Sequence, residues 1–316
     1  MEQFRFSGHE TFPCRYAWLP KAAREVEKDA LIFASASKRQ NDAMVRLGVG
    51  KNMVNALQFW AEITEIITPT TSNGYKVTPF GRRLLLDEDG KPGLDPYLED
   101  IQTLWLLHWK MATQVKSPMF AWDFLLNDWQ QEIARSLVLR VFQREANLRH
   151  KRELSAVTLA QHFDIFLHTY VPTRGRKGEV VEDSLDSPFV ELELLQRRGF
   201  GEQSDQPGKA EPVYAFRREA KPEIGDALFA YCVSDFWQRR HQNEQTLSFE
   251  LVAVGRGSPG QIFKLPEEDI RARLEAIERA TDGQLIYEDS SMTPRLMRAL
   301  KTKLITWEEI YAAALA

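Results

Sequence analysis

The densest group of side chains able to do chemistry lies between Phe6 and Lys21: His9, Glu10, Arg15 and Lys21, set among Gly8, Phe12, Pro13, Trp18 and Pro20. A histidine and a carboxylate can serve as general base and metal ligand. An arginine or lysine can neutralise the charge of a phosphoryl transition state, so the set suits phosphodiester cleavage. The two prolines keep the segment from forming one helix, which makes it a loop of the kind that carries sites. Neighbouring side chains on an extended chain diverge, so His9 and Glu10 share one site only if the chain turns at Gly8. The other use of the same residues is structural: His9 and Glu10 bond to backbone and pin the N-terminal arm, and Arg15 forms a salt bridge.

A second group is acidic. Glu182-Asp183-Ser184-Leu185-Asp186-Ser187-Pro188 is followed by Glu191 and Glu193. Glu182, Asp183 and Asp186 can hold Mg²⁺, the ion nucleases use, or Ser184 or Asp186 can cap a helix opening at Pro188. Histidines 108, 150, 162, 168 and 241 form no ligand-like group beyond His162 and His168, and default to core or surface. No Walker loop, dinucleotide fingerprint, His-Glu-x-x-His or serine elbow occurs, which disfavours the usual nucleotide-dependent and zinc-protease classes.

These groups need elements to position them. The pattern predicts a helix over Lys21 to Ala34 and a second from Asn41 to Gly48. After the Gly48-Val49-Gly50 turn comes a third helix from Lys51 to Ile67, with Val54, Leu57, Trp60, Ile63 and Ile67 on its buried stripe. Its polar face carries Lys51, Asn52, Asn55 and Gln58. Two short strands around Asn73-Gly74 follow, then Thr78-Pro79 as a helix start. Helix, turn, helix, hairpin is the winged-helix order. It would put Asn52 and Asn55 on base edges in the major groove of double-stranded DNA, with Lys51 on phosphate and Lys76 and Arg82 on the backbone. Winged helices also serve as protein-interaction modules.

From Tyr97 to Tyr170 the chain reads as helical and aromatic, and its aromatics as core. Between Ala134 and Gly178 nine Lys/Arg stand against three acids; Arg140, Arg144 and Lys151 fall near one helix face and add to the DNA-binding set. Strands near 213–216 and 285–287, helices near 224–239 and 265–280, and a final helix over Met292 to Leu300 complete the chain. The expected class is α+β, mainly helical: residues 1–90 with the motif and a winged helix-turn-helix, 91–180 a basic helical middle, and 181–316 a small α+β part that is either a second winged-helix-like unit or another fold.

With 316 residues, 43% of them hydrophobic, a substantial core is available and disorder is excluded for the bulk. The net charge of −4 advertises no polyanion partner. A nucleic-acid site must therefore be local, and the basic middle and the twelve cations against nine acids over 15–91 permit one. Two distant cysteines, Cys14 and Cys232, offer neither a disulfide framework nor a zinc cluster. No run resembles a signal peptide or membrane span, so no membrane partner and a cytoplasmic location are expected.

The stretch Phe6-Ser7-Gly8-His9-Glu10-Thr11-Phe12, continuing through Arg15, Trp18-Leu19 and Lys21, resembles the start of a bacterial family catalogued as a domain of unknown function. The run Glu182 to Pro188 with Glu191-Leu192 is similar to a later part of the same family, so the likeness covers nearly the whole chain. Members include the DNA-nicking component of systems that place phosphorothioate sulfur in one DNA strand. The resemblance therefore implies a strand-specific nickase in bacterial phosphorothioate modification and antiviral defence, with a cysteine desulfurase, an ATPase and a reductase-like protein as partners. The alternative is a non-catalytic winged-helix adaptor or regulator that recruits the modification enzymes to DNA.

Overall fold

The computed structural model describes residues 4–34, 37–149, 154–172, 187–203, 206–290, 292–299 and 306–311. These form two compact units, one of residues 1–122 and 130–215, the other of residues 123–129 and 216–316.

The first unit opens with α1 (Trp18–Lys28), α2 (Ser37–Leu47) and α3 (Lys51–Ile63). Helix α3 buries Val54, Ala56, Leu57, Phe59, Trp60, Ala61 and Ile63, the spacing of one apolar stripe. It stops short of Ile67 because the Thr64 hydroxyl bonds back to the Trp60 carbonyl (2.7 Å) and Glu65 turns the chain at a φ of 62°. The chain then enters β1 (Ile67–Pro69), which pairs antiparallel with β2 (Tyr75–Val77) in the register Ile67 to Val77 and Pro69 to Tyr75. Thr78 caps α4 (Pro79–Leu85): its Oγ1 accepts from the Gly81 amide at 2.9 Å and donates to the Glu65 carbonyl at 2.6 Å. Gly81 is required there, since a Cβ would stand 2.3 Å from the Ile66 carbonyl oxygen.

The aromatic stretch supplies the core. Helix α5 (Ile101–Ala112) is buried from Thr103 to its end, and its Lys110 pairs with Glu65 at 3.1 Å. Helices α6 (Phe120–Asn127), α7 (Arg135–Arg149) and α8 (Ala156–Tyr170) follow. Trp122 Nε1 donates to the Tyr170 hydroxyl (2.8 Å), which shares a 2.7 Å hydrogen bond with His108 Nδ1, so these three polar tips satisfy one another. Strand β3 (Ile133–Ala134) pairs with β5 (Ala210–Phe216), and β4 (Leu195–Glu202) lies on the other side of β5 as the sheet edge.

In the second unit α9 (Asp226–Arg240) packs on α12 (Glu267–Ala280), which covers β7 (Leu285–Glu288). The sheet order is β6 (Thr246–Ser248), β8 (Arg295–Arg298), β7. The segment expected as a helix over Met292 to Leu300 thus holds the central strand. Pro294 disfavours helix just before it, and only Leu296 of Arg295–Arg298 is buried, the mark of a strand facing one way. Helix α10 (Phe249–Val254) leads to α11 (Pro259–Phe263), and the described chain ends in α13 (Trp307–Tyr311).

Residues 123–129 belong to this unit because its side chains close the C-terminal turn of α6. Gln261 Nε2 donates to the carbonyls of Leu126 and Asn127, both at 2.9 Å, and the Lys264 ammonium donates to Leu126. Arg256 bridges Asp123 and Asp128. Burial holds the Lys264 ammonium well below the usual lysine range, and lowers Lys221 to about 8. Removing Arg256 takes an ion-pair partner from the carboxylate of Asp123, whose side chain is only 5% exposed. Arg256→Ala is expected to lower the unfolding free energy by about 1–3 kcal/mol in chemical denaturation; an unchanged midpoint would show that the bridge contributes nothing.

Candidate nucleic-acid interface

The N-terminal arm runs along α3. Arg5 pairs with Glu62 and its amide bonds to the Pro118 carbonyl (2.8 Å); Trp60 Nε1 donates to the Phe12 carbonyl at 3.0 Å. Between these anchors the chain turns at Gly8, whose φ of 111° and 2.5 Å clearance from the Phe59 ring admit no side chain. Glu10 takes a left-handed φ of 53°, so the sequence His9-Glu10 turns as sharing a site requires.

His9 is 1% exposed and its partners define its tautomer. A carbonyl only accepts, so the Glu10 oxygen 2.9 Å away requires a proton on His9 Nδ1. An amide only donates, so the Ala121 N–H 3.0 Å from His162 Nε2 leaves that nitrogen bare and puts the His162 proton on Nδ1. The 2.8 Å contact between His162 Nδ1 and His9 Nε2 is then a donation from His162 to His9. The result is a one-way relay: Ala121 amide to His162, His162 to His9, His9 to the Glu10 carbonyl. Gln161 Nε2 donates to the same carbonyl. Both His9 nitrogens are committed, so the described geometry leaves it no lone pair for a metal or a substrate proton and gives it the pinning role.

Glu10 itself is half-buried, and its Oε1 accepts from Asn55 Nδ2 at 3.2 Å. This contact joins the N-terminal motif to the polar face of α3. Arg15 lies over the Trp18 ring at 5.5 Å, and Lys21 Nζ donates to the Leu47 carbonyl at 3.3 Å, closing the end of α2. The four candidates for catalysis thus point to different places: Glu10 reaches the polar face of α3, His9 is turned inward to His162, Arg15 lies over Trp18 and Lys21 closes α2.

That face opens on a cleft of about 820 Å³ between the start of α3, the β1–β2 hairpin and the loop before α2. Lys51, Asn55 and Gln58 line one wall, and Asn73, Thr70 and Tyr75 line another. Gln58 Nε2 donates to the Tyr75 hydroxyl at 2.6 Å, and Tyr75 bonds back to Glu62, so hairpin and helix are tied at the cleft floor. Burial, then the Glu62 carboxylate, pushes the Tyr75 hydroxyl above its ordinary range and keeps it a neutral donor. Lys51, Asn52 and Lys76 are exposed, and the two lysines have no ion-pair partner among the described residues. Arg82 is paired with Glu27 of α1.

On α7, Arg140 and Arg144 share the exposed face, Arg144 paired with Glu145 at 3.2 Å. Lys151, Glu182, Asp183 and Asp186 lie outside the described residues. Pro188–Leu192 forms a 3₁₀ turn, and Ser187 Oγ donates to the Thr169 carbonyl at 2.9 Å in place of a capping bond. Among the described residues no group of three or more His, Cys, Asp or Glu side chains is placed to hold a metal ion, and no helix is long and apolar enough to cross a membrane. Cys14 is buried and its thiol pKa raised by burial, as suits packing and not reactivity. His162, Gln161 and Phe59 escaped the sequence reading as partners of the motif; the single signal for His162 was a histidine on the apolar stripe of an amphipathic helix.

The chain belongs to a protein family of unknown function, DUF4007, which it matches over residues 6–311. It is similar to the crystal structure of SspB with magnesium bound, at a TM-score of 0.77 and 29% identity over 95% of this chain and 84% of that one. A second SspB crystal structure is similar at a TM-score of 0.77 and 25% identity, over 99% of this chain and 88% of that one. No curated protein matches the chain.

The relay fails when either ring takes a second proton, because His162 Nε2–H would then face the Ala121 amide, or His9 Nε2–H would face His162 Nδ1–H. Burial accordingly lowers both pKa values from 6.5, with His162 the further depressed. The unfolded chain binds these protons first, so the relay's stability is complete above pH 6.5 and falls as pH drops towards the folded values. Each histidine removes up to about 1.4 kcal/mol per pH unit in that window. Melting temperatures between pH 7.5 and 5 should fall less steeply for His162→Gln than for the parent protein; equal slopes would sink the relay as the cause.

Proposed function

We propose that the protein binds double-stranded DNA through the first turns of α3 and the β1–β2 hairpin, acting as a winged helix, and works in DNA phosphorothioation as the strand-nicking component. The observation that carries the DNA reading is the cleft, in which the uncommitted Lys51 and the amide side chains of Asn55 and Gln58 stand on a helix end beside a hairpin whose Lys76 is exposed outside the cleft. Asn52 and Asn55 suit base edges, Lys51 and Lys76 suit phosphates, and Arg140 offers a further phosphate contact on α7, where Arg144 beside it is partly neutralised by Glu145. Arg82, spent on Glu27, contributes less. What supports the nicking step is the resemblance of the Phe6 to Lys21 motif to a family with a DNA-nicking member, together with the chain's similarity to SspB, one structure of which contains magnesium.

In this reading Glu10 is the carboxylate able to take a proton from an attacking water near the cleft, and the His9 relay positions it. Magnesium would supply charge neutralisation on the phosphate; the Glu182, Asp183 and Asp186 run remains the candidate that would hold it. The commitment of both His9 nitrogens favours a second reading, in which the protein is an adaptor that brings modification enzymes to DNA without cutting it.

Two measurements separate these. In gel shifts on duplex DNA, Lys51→Ala should weaken binding on all sequences and lower the salt slope by about 1, while Asn52→Ala should cost about 1–3 kcal/mol on the preferred sequence only. Supercoiled plasmid incubated with the protein and Mg²⁺ should yield open circles, and Glu10→Gln should abolish them. Closed circles at every dose with duplex binding intact would leave the adaptor, and no duplex binding at all would end both readings.

A further inference from the structure

Strand β4 reads Leu195-Gln196-Arg197-Arg198-Gly199-Phe200-Gly201-Glu202, and Phe200 is 68% exposed in the middle of it. An aromatic ring set that far out on a strand gains nothing from the core. Its neighbours keep it open. Gly199 takes a φ of 149° and a Cβ there would meet nothing, while a Cβ on Gly201 would press to 2.9 Å from Val213. The positive φ interrupts the plain alternation of the strand, and the Arg197 guanidinium comes to lie over the Phe200 ring at 4.3 Å. Arg197 and Arg198 are exposed and have no ion-pair partner among the described residues. Lys209, exposed just before β5, donates from its ammonium to Gln206 Oε1 at 3.1 Å and has no ion-pair partner among the described residues. Among the described residues strand β4 is the edge of its sheet, and no strand there pairs with its outer side.

We propose that this edge is a second nucleic-acid surface, specific for unpaired strands. Phe200 and the Arg197 plane form a stacking platform for a base, and Arg198 and Lys209 take the flanking phosphates. The chemistry selects the ligand. A duplex hides its base faces in the stack and offers this ring only an edge, whereas a single strand presents a flat π-face that a phenyl ring and a guanidinium both match. An acidic peptide would satisfy the cations and leave the ring unused. The proposal goes beyond the duplex contact at α3 and does not depend on it, since it uses none of the cleft residues.

The test is fluorescence anisotropy with labelled oligothymidine and, separately, a labelled hairpin duplex, using the full chain. Because Phe200 is exposed, its variants should fold, and circular dichroism checks this. Phe200→Ala and Phe200→Leu should each weaken oligothymidine binding by about 5- to 150-fold, the cost of one lost stacking contact. Phe200→Trp should retain it, Arg198→Ala should reduce the salt slope by about 0.7, and duplex affinity should not change in any of them. Leucine matching the parent, equal losses on both ligands, or no oligothymidine binding by the parent would each overturn the proposal. Lys51→Ala reports on the cleft separately: a parent that binds oligothymidine and no duplex would refute the cleft reading and leave this one standing.

Discussion

The arrangement of the first unit depends on the direction of one hydrogen-bond chain. Ala121 sits at the start of α6, His162 on α8 and His9 on the N-terminal arm, so three segments remote in sequence are joined by bonds that work only with each ring neutral and in one tautomer. An apolar contact could hold these segments together, but it would leave their rotation free. A buried, fully satisfied polar chain specifies one alignment, because any other leaves a donor facing a donor. What it aligns is the backbone of Glu10, whose carbonyl also receives Gln161 and whose side chain reaches Asn55. The relay thereby sets where the motif's one open carboxylate meets α3.

Helix α3 transmits that placement to the hairpin. Its buried stripe carries Trp60, fully enclosed and bonded to the arm, and its polar face carries Gln58, bonded to the hairpin through Tyr75. Glu62 completes the tie by facing both Arg5 of the arm and Tyr75 of β2. Arm, helix and hairpin therefore form one framework around the cleft. Side chains that bind a ligand from its walls start from fixed backbone positions and lose only rotamer freedom on binding.

Much of this framework was readable from residue types. The α3 stripe, the Asn73-Gly74 hairpin and the Thr78 cap all rest on local chemistry, and local chemistry is visible in a window of a few residues. The requirement that the chain turn for His9 and Glu10 to act together could also be stated beforehand, and Gly8 and Glu10 meet it. What could not be read was the partner of His9, because 153 residues separate it from His162 and no spacing rule spans that gap. The central strand β8 departs from the expected helix for a related reason. Its Arg-Leu-Met-Arg pattern suits either element, and the choice falls to pairing with β6 and β7.

The net charge of −4 has the same lesson in electrostatic form. A phosphate meets only cations whose charge is uncommitted, and pairing removes several that a sequence count includes. Arg82 faces Glu27, Arg135 is held by both oxygens of Asp164, and Arg144 leans on Glu145. The positive balance of the segments around them therefore overstates their pull. Lys51, Lys76, Arg140, Arg197 and Arg198 have no such partner among the described residues, and each is exposed. A screened solution passes their field only about 8 Å, so recognition of a polyanion depends on where these few groups stand and not on the sign of the whole chain.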